Sequence, residues 1–260
     1  MGVNNSSDAE KLWREWFTTS AFSAEKRIHR ILRFLPHEPR CKFCNAPFRG
    51  VGSVLVRAVY GKKQSNLNPR FCSVCEDFAS KFPGGAEVEM SMLFADVRGS
   101  TSLSEQMSPM DFSRLINRFY VESTKIITDE DGLVEKLAGD AVAAFWGAGF
   151  AGPNYVKRTL EVAQKMAKAM KAQNIPIGIG VHAGVAFFGA MGEASGLINI
   201  SAIGDEVNLA ARLASKAAAG EIIVSEKALQ AAGADGSAYE SRSLELKGIS
   251  EPVRVRVLGG

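Results

Sequence analysis

Two aspartates, each next to a turn-forming sequence, are the residues of this chain best suited to metal chemistry. Asp96 ends the apolar stretch in "SMLFADVRGST", and Asp140 lies at the tip of a predicted hairpin in "EKLAGDAVAAFWG". Carboxylate oxygens are preferred ligands of Mg²⁺, and backbone N–H groups at a strand-to-helix turn favour phosphate oxygens. If the two strands are neighbours, we expect the aspartates to hold two magnesium ions beside a phosphate-binding turn. That turn consists of Arg98, Gly99, Ser100 and Thr101.

Simpler explanations exist for the turn residues of both stretches. A hydroxyl residue after the strand, such as Ser100 or Thr101, also predicts an ordinary helix N-cap. Gly139 and Asp140 also predict an ordinary hairpin turn. Neither explanation accounts for Lys136, a charged residue in the strand that enters the hairpin.

A third stretch, "SAIGDEVNLAARL", contains two polar residues four positions apart. On a helix, Asn208 and Arg212 would share one face, while the rest of the stretch is largely apolar or small. Further along, Lys247 precedes a glycine turn in "LELKGISEPV". Taken separately, these residues also fit a helix with solvated polar side chains and an ordinary surface lysine.

The elements that must position these residues alternate between strand and helix. Helical periodicity is strong in "SPMDFSRLINRFYVESTKIIT", where Ser108 is the expected N-cap and Pro109 the first helical residue. Strand patterns surround this helix and recur to the end of the chain. The alternation predicts an α+β fold with helices on a mixed sheet. The sequence "KFPGGAEVEM" predicts a linker, so we expect one domain over residues 1–82 and a second over residues 83–260.

All four cysteines lie in the predicted first domain, as two Cys-x-x-Cys pairs. The pairs are Cys41 with Cys44 and Cys72 with Cys75. Their spacing is typical of a structural zinc site in which each pair forms one knuckle. His37 lies nearby, but four cysteines already complete a tetrahedral shell. We expect one structural zinc ion per chain, and an iron–sulfur cluster is the open alternative.

Before the cysteines, "AEKRIHRILRFLP" predicts a basic amphipathic helix that ends at Pro36. Its expected apolar face consists of Ile28, Ile31, Leu32 and Leu35. Residues 1–80 are basic, with 13 Lys and Arg against 7 Asp and Glu. Because aromatic residues do not interleave with the basic run, no nucleic-acid partner is expected.

The composition of the 260-residue chain, with 46% apolar and 23% charged residues, is that of a globular protein. No stretch reaches the roughly 18 apolar residues that a transmembrane helix needs. The chain begins without the basic and apolar pattern of a signal peptide, so a cytoplasmic location is expected.

Four stretches occur in the order "FADVRGST", "EKLAGDAV", "AIGDEVNLAARL" and "LKGISEPV". Together they resemble the catalytic domain of class III nucleotidyl cyclases, over about residues 85–258. The resemblance implies the ferredoxin-like cyclase fold and a homodimer with two shared active sites. It also implies that a nucleoside triphosphate is converted to a cyclic nucleotide and pyrophosphate by two-metal-ion catalysis, the chemistry of cyclic-nucleotide signalling.

The resemblance assigns metal ligands and catalytic residues by position. Asp96 and Asp140, with the carbonyl of Val97, would hold two Mg²⁺ or Mn²⁺ ions. Asn208 and Arg212 would orient the ribose and stabilise the pentavalent phosphorus. Lys247 would bind the triphosphate.

Lys136 and Ser201 match the two positions that read the base. A lysine donates to acceptors such as adenine N1, whereas a guanine-reading position would carry a carboxylate, so ATP is favoured over GTP. Adenylyl cyclases usually carry Asp or Thr where Ser201 stands. Because a serine hydroxyl both accepts and donates, a pyrimidine cyclase that makes cyclic CMP or cyclic UMP is an open alternative. A catalytically weak cyclase-fold module for sensing or dimerisation is another.

Overall fold

The structure is a computed structural model that describes residues 6–35, 39–192, 198–249 and 251–259. The predicted helix end at Pro36 and the nearby His37 lie outside the described residues. The described part of the chain forms ten helices and eight strands.

The helices are α1 (Ser6–Thr18), α2 (Ser23–Leu32), α3 (Gly50–Tyr60), α4 (Ser73–Lys81), α5 (Ser100–Gln106), α6 (Pro109–Asp129), α7 (Ala148–Ala151), α8 (Tyr155–Ala172), α9 (Asp205–Lys216) and α10 (Glu226–Ala231). The strands are β1 (Gly84–Val97), β2 (Leu133–Ala138), β3 (Ala141–Trp146), β4 (Ile177–Gly192), β5 (Ile198–Ile203), β6 (Glu221–Ser225), β7 (Glu240–Leu244) and β8 (Val253–Gly259).

The strands form one mixed sheet in the order β2-β3-β1-β4-β6-β8-β7, and β5 pairs with β4 outside this path. The pairing of β4 with β6 is parallel. The pairings of β1 with β3, β2 with β3, β4 with β5, β6 with β8 and β7 with β8 are antiparallel. The predicted α+β fold, with helices on a mixed sheet, is confirmed.

The chain divides into two compact units, and β1 and β4 each pass from one unit into the other. The first unit comprises Met1–Val88 and Ala186–Ile203, and the second comprises Glu89–Val185 and Gly204–Gly260. The domain boundary expected between residues 82 and 83 stays a prediction.

Alternate residues of β6 show how the second unit is layered. Ile222 and Val224 belong to the large apolar cluster that includes Met166 of α8. Ile223 belongs to a smaller cluster with Leu213 of α9. Because successive side chains of a strand point to opposite faces, α8 covers one face of the sheet and α9 covers the other.

The hairpin and the helix that precedes it form as the sequence predicts. β2 and β3 pair antiparallel around the turn at Gly139 and Asp140. α6 begins with Pro109 at its first turn, and the hydroxyl of Ser108 accepts a hydrogen bond from the Asp111 N–H at 3.1 Å. Local turn and cap chemistry is sufficient for these elements.

The expected linker around Pro83 is largely strand instead, since α4 ends at Lys81 and β1 already begins at Gly84. A Cβ atom on Gly85 would lie 2.3 Å from the Phe188 carbonyl oxygen and 2.7 Å from the Gly189 Cα. The glycine is therefore needed for the close approach of two strands, not for a turn.

The predicted apolar face of α2 is only partly correct. Leu32 is buried and Ile28 is half-buried, but Ile31 is 53% exposed. Leu35 lies beyond the end of the helix, and His29 takes a buried position. None of the described helices combines the length and the apolar character that crossing a membrane requires.

Candidate active site and metal centre

The two candidate metal-binding aspartates lie at the same end of two neighbouring strands. β1 pairs with β3, and Asp96 is the register partner of Ala141. One residue further, the Val97 N–H donates to the Asp140 carbonyl at 3.0 Å. Both aspartates are half-buried. The strand adjacency that the two-aspartate hypothesis requires is therefore present.

Tyr120 of α6 holds the tip of the hairpin. Its hydroxyl donates to the carbonyl of Gly139 at 2.7 Å. Gly139 has φ +63°, a backbone conformation that favours glycine. Burial raises the pKa of Tyr120, and the nearby charge of Asp140 raises it further, so the phenol remains a donor at neutral pH. Sequence reasoning missed Tyr120, because nothing local to α6 indicates this contact.

The side chain of Arg98 is directed to protein groups. Its Nη2 forms an ion pair with Oδ1 of Asp96. Its Nη1 donates to the carbonyls of Ser215 at 3.1 Å and Ala217 at 3.3 Å, at the C-terminal end of α9. A cation at a helix C-terminus also stabilises the exposed carbonyls. The guanidinium therefore ties the end of β1 to the end of α9.

The turn after β1 has the backbone of a helix start. Gly99 has φ +67° and is the N-cap of α5, which begins at Ser100. The cap has no side-chain hydrogen bond, so neither Ser100 nor Thr101 is the N-cap residue that the simpler explanation required. Gly99 and Thr101 are exposed and Ser100 is half-buried.

The predicted helix with Asn208 and Arg212 is α9, and the two residues lie four apart on it. The guanidinium of Arg212 lies against the turn that contains Lys247, because a Cβ atom on Gly248 would lie 3.3 Å from Arg212 Nη2. Asn208 and Lys247 are exposed, and Arg212 is half-buried. The fold thus brings Lys247 to the arginine of α9 from the far end of the sequence.

Glycines of β4 determine how closely α9 packs on the sheet. A Cβ atom on Gly180 would lie 2.2 Å from the Ala214 nitrogen, and one on Gly184 would lie 2.6 Å from Cδ of Glu206. These glycines are an even number of residues apart, so they lie on one face of the strand. Their even spacing in "IGIGVHAG" is the sequence signal that could have predicted a helix lying on this strand.

The two candidate base-reading residues lie in different units. Lys136 is an exposed residue of β2, directly after an irregularity in register between Val134 and Lys136. Such a bulge redirects the side chains next to it. Ser201 is a half-buried residue of β5 in the first unit, where its register partner is Gly189.

A buried polar network that sequence reasoning missed joins β4 to the first turn of α9. His182 is buried, and its Nε2 contacts Oε2 of Glu206 while its Nδ1 lies 2.7 Å from the Ser225 hydroxyl. Lys227 donates to the other Glu206 oxygen at 2.6 Å. Burial lowers the pKa of His182, and the bond to Glu206 opposes this incompletely. The neutral imidazole fits the geometry, donating from Nε2 to Glu206 and accepting from Ser225.

The residues around Asp96 fit a divalent cation. Asp96 Oδ1 is buried and ion-paired with Arg98, yet it accepts no hydrogen bond of regular geometry. Buried carboxylate oxygens normally have hydrogen-bond donors or a metal ion as partners. Hard oxygen donors on adjacent strands are the ligand type that Mg²⁺ and Mn²⁺ prefer.

The four cysteines of the first unit form a buried cluster. Their Sγ atoms all lie within 4.8 Å of one another, and those of Cys44 and Cys72 are 3.7 Å apart. A tetrahedral zinc with Zn–S bonds of about 2.3 Å places its sulfur atoms about 3.8 Å apart. The cysteines are free thiols rather than disulfides, and the Cys72 N–H donates to Cys41 Sγ at 3.2 Å. The arrangement therefore fits a tetrahedral metal ion.

A buried lysine accompanies the cysteine cluster. Lys62 is only 7% exposed and hydrogen-bonds to Cys44. Burial alone would lower the pKa of Lys62, but its interactions with the sulfur atoms of Cys44, Cys75 and Cys72 raise it above its usual range. The ammonium group can thus balance part of the negative charge of a four-thiolate site.

Comparison with known proteins identifies the family of this site. The profile of the adenylate and guanylate cyclase catalytic domain matches residues 85–256. An uncharacterised protein of Mycobacterium tuberculosis is 31% identical over 206 residues, which cover 77% of this chain and 37% of that protein. The adenylate cyclase of Anabaena cylindrica is 33% identical over 138 residues, which cover 48% of this chain and 26% of that enzyme. This chain therefore spans about a third of the length of the curated relatives it matches.

Solved structures show the same fold. The guanylyl cyclase Cya2 matches with a TM-score of 0.63 and 26% identity, over 68% of this chain and 94% of that one. The adenylyl cyclase CyaB from P. aeruginosa matches with a TM-score of 0.59 and 29% identity, over 67% of this chain and 95% of that one. With the family profile matching the greater part of its length, the chain belongs to the class III adenylate and guanylate cyclase catalytic domain family.

Proposed function

We propose that this protein is a homodimeric adenylate cyclase that converts ATP to 3′,5′-cyclic AMP and pyrophosphate. The observation that carries the proposal is that Asp96 and Asp140 lie at the same end of the neighbouring strands β1 and β3 in a chain of the cyclase family. In the same unit, α9 carries Asn208 and Arg212, and Arg212 lies next to the Lys247 turn.

Asp96, Asp140 and the carbonyl of Val97 would hold two Mg²⁺ or Mn²⁺ ions. When bound, such ions lower the pKa of the ribose 3′-hydroxyl and neutralise charge on the triphosphate. Arg98, Gly99, Ser100 and Thr101 are proposed as further substrate contacts at the turn after β1. Arg98 would then exchange its ion pair with Asp96 for a phosphate group.

The remaining chemistry belongs to side chains of α9 and of the last turn. The ribose 3′-oxygen attacks the α-phosphorus in line, and pyrophosphate leaves. Arg212 presents a planar fork of donors to the crowded oxygens of the pentavalent phosphorus, which a lysine could not match. Asn208 orients the ribose, and Lys247 binds the triphosphate. Removing a contact of this kind typically costs about 10²–10³ in rate.

Lys136 and Ser201 are the proposed base readers. The lysine supplies a donor to adenine N1, and the Ser201 hydroxyl accepts from the 6-amino group. The similar structures include cyclases for both purine nucleotides, since Cya2 is described as a guanylyl cyclase and CyaB as an adenylyl cyclase. Because Ser201 can donate as well as accept, a pyrimidine cyclase that makes cyclic CMP or cyclic UMP is the second candidate.

Two proposed site residues on the β2–β3 hairpin, Asp140 and Lys136, support a dimer because they would serve different active sites. Asp140 serves the metal ions of its own protomer, whereas Lys136 reads the base in the site completed by the partner protomer. A homodimer then contains two equivalent sites.

For the first unit, we propose one structural zinc ion bound by Cys41, Cys44, Cys72 and Cys75. Metal analysis of the purified protein should give close to one zinc ion per chain. Iron together with acid-labile sulfide, in a brown solution, would establish an iron–sulfur cluster instead.

One experiment tests the proposed reaction. The protein is incubated with each of the four nucleoside triphosphates and Mn²⁺, and the products are separated by chromatography. Cyclic AMP from ATP is the expected product. Cyclic CMP or cyclic UMP would establish the second candidate. The absence of any cyclic product would identify a cyclase-fold module for sensing or dimerisation.

A further inference from the structure

Two side chains from the cysteine-containing loops cover the outer edge of β5. Lys42, inside the first Cys-x-x-Cys pair, donates from Nζ to the Ile200 carbonyl at 3.1 Å and to Asn199 Oδ1 at 3.2 Å. Asn68, in the loop before the second pair, donates to the Ile198 carbonyl at 2.7 Å. Carbonyls two residues apart point to the same side of a strand. Among the described strands β5 pairs with β4 alone, so these donors lie on the edge that β4 leaves open.

An aromatic stack joins the same loop to β4. Phe43, also inside the first Cys-x-x-Cys pair, stacks on Trp16 with ring centroids 4.5 Å apart. Trp16 in turn stacks on Phe188 at 6.3 Å, and Trp13 contacts both Phe43 and Phe188 edge-on. All four rings are buried, and Phe188 is the register partner of Ala202 in β5. The first cysteine loop thus contacts β5 directly through Lys42, and β4 indirectly through Trp13 and Trp16 of α1.

Each cysteine loop has backbone hydrogen bonds of its own, such as that from the Cys41 N–H to the Ala46 carbonyl at 2.8 Å and that from the Phe71 N–H to the Asn68 carbonyl at 3.0 Å. The two loops are joined by the Lys42 N–H, which donates to the Arg70 carbonyl at 2.8 Å, and by the cluster of sulfur atoms. A metal ion at the four sulfurs would fix the loop of Lys42 relative to the loop of Asn68. Among the described strands β5 pairs with β4 alone, so Lys42 and Asn68 supply the hydrogen-bond donors at its other edge.

We propose that a metal ion at the four cysteines holds the β4–β5 hairpin in place through Lys42 and Asn68, and so sets the affinity of the cyclase for its nucleotide. The inference rests on the proposed function, in which Ser201, next to Ile200, reads the base. Lys42 and Asn68 act as positioning residues, since their effect on the nucleotide passes through β5.

Lys42→Met and Asn68→Leu remove the two donors and leave the cysteines intact. Lys63→Met is the matched control, because Lys63 is an exposed lysine of the same unit. We expect Lys42→Met to retain its zinc while hydrogen–deuterium exchange over residues 198–203 becomes faster. The KM for the nucleotide should rise about two- to tenfold, the range for one lost hydrogen bond, with kcat nearly unchanged. The control should match the unaltered protein in both measurements.

Hydrogen exchange needs no turnover, so it tests the coupling even if no nucleotide is cyclised. Removing zinc with a chelator should accelerate exchange over residues 198–203, and returning zinc should reverse the effect. Unchanged exchange in both Lys42→Met and the zinc-free protein would overturn the proposal. Faster exchange with an unchanged KM in an active enzyme would also overturn it, because β5 would then be held without affecting nucleotide binding.

Discussion

Arg98 forms an ion pair with the carboxylate of Asp96 through one nitrogen of its guanidinium. Another nitrogen of the same group donates hydrogen bonds to carbonyls at the C-terminal end of α9. Asp96 is the first proposed metal ligand, and α9 carries the proposed transition-state residues. The charge of Asp96 is thus balanced by a side chain that also hydrogen-bonds to the C-terminal end of α9. A cation that binds Asp96 must share the carboxylate with Arg98 or displace it.

Replacing Arg98 should make the protein more dependent on its metal. In Arg98→Gln, the buried oxygen of Asp96 loses its counterion, which should destabilise the metal-free protein by about 1–3 kcal/mol. Because Mn²⁺ can supply the missing charge, the rise in melting temperature on adding Mn²⁺ should be larger than in the unaltered protein. Thermal unfolding with and without Mn²⁺ measures this difference. Asp96→Asn is the control and should lose most of the metal effect, and an equal rise in Arg98→Gln would contradict the ion-pair argument.

Replacing a proposed metal ligand should abolish activity without changing the fold. Asp96→Ala and Asp140→Ala should each reduce cyclase activity by at least about 10²-fold, as expected for a lost charge-stabilising group. Their circular dichroism and oligomeric state should match those of the unaltered protein. Turnover is measured with saturating Mn²⁺, so that weakened metal binding alone is compensated. Near-normal activity of either variant would show that its aspartate is not a metal ligand.

A shared active site predicts rescue between two inactive proteins. Asp96→Ala lacks a metal ligand, and Arg212→Ala lacks the transition-state arginine. If each site takes these residues from different protomers, a mixed dimer has one intact site and one that lacks both. Equal mixing should therefore restore roughly a quarter of normal activity, because about half of the dimers are mixed and each has one of two sites. Cyclase assays are made after subunit exchange, and differently tagged chains confirm that the exchange has occurred. Continued inactivity would show that one protomer supplies both residues to each site.

The His182 network predicts loss of stability in mild acid. Burial lowers the pKa of His182 in the folded protein, whereas the unfolded histidine titrates near about 6.5. The unfolded chain therefore binds more protons as the pH falls below that value, and the free energy of unfolding decreases. Glu206, whose pKa is also lowered, acts in the same direction only at lower pH, near its ordinary value of 4.5. Urea unfolding at pH 7.5 and 5.5 measures the effect.

His182→Gln is the informative variant for this slope, since its amide can still donate to Glu206 but does not titrate. We expect a smaller stability difference between pH 7.5 and 5.5 than in the unaltered protein. Some difference should persist, because burial also lowers the pKa of His29. An identical pH slope in His182→Gln would show that His182 does not titrate on unfolding in this range.

Lys62 should contribute to metal affinity without being a ligand. In Lys62→Met, the four sulfurs lose the ammonium group that balances their charge, and zinc affinity should fall about 10- to 100-fold, as is typical for second-sphere groups. Competition with a chromophoric chelator measures this affinity. Lys63→Met, one residue further in the chain and exposed, should bind zinc normally. Equal zinc affinity of the two variants would rule out a role for Lys62 in charge balance.

Elements that depend on neighbouring residues could be predicted from the sequence. The β2–β3 hairpin and the Ser108 cap of α6 follow from local turn and cap chemistry. The family also follows, because several ordered motifs agree, whereas the pairing of β1 with β3 was a hypothesis that the strand register confirms. Gly85 was harder, since a Gly-Gly pair is a turn signal and the close approach of Phe188 is a property of the folded sheet.

Contacts between distant segments explain most of what sequence reasoning missed. The Asp96–Arg98 ion pair lies within a short motif, but its link to the end of α9 spans more than a hundred residues. The partner of His182 is Glu206, and a buried histidine in an apolar strand gives no sign of which carboxylate it meets. The contact of Lys42 with Ile200 is equally remote in sequence. Such pairs are determined by register and packing rather than by local pattern.

The first unit is built from two separate pieces of chain, residues 1–88 and 186–203, and this limits how the protein can be divided. Cutting at Pro83 would remove the rings of Trp13, Trp16 and Phe17 that cover Phe188, together with the donors on the edge of β5. A bare aromatic residue beside an open strand edge is a site of self-association and aggregation. The cyclase domain of this chain therefore needs the preceding residues. A version trimmed to residues 85–256, the range that the family profile matches, should be poorly soluble unless Phe188 is replaced by a polar residue.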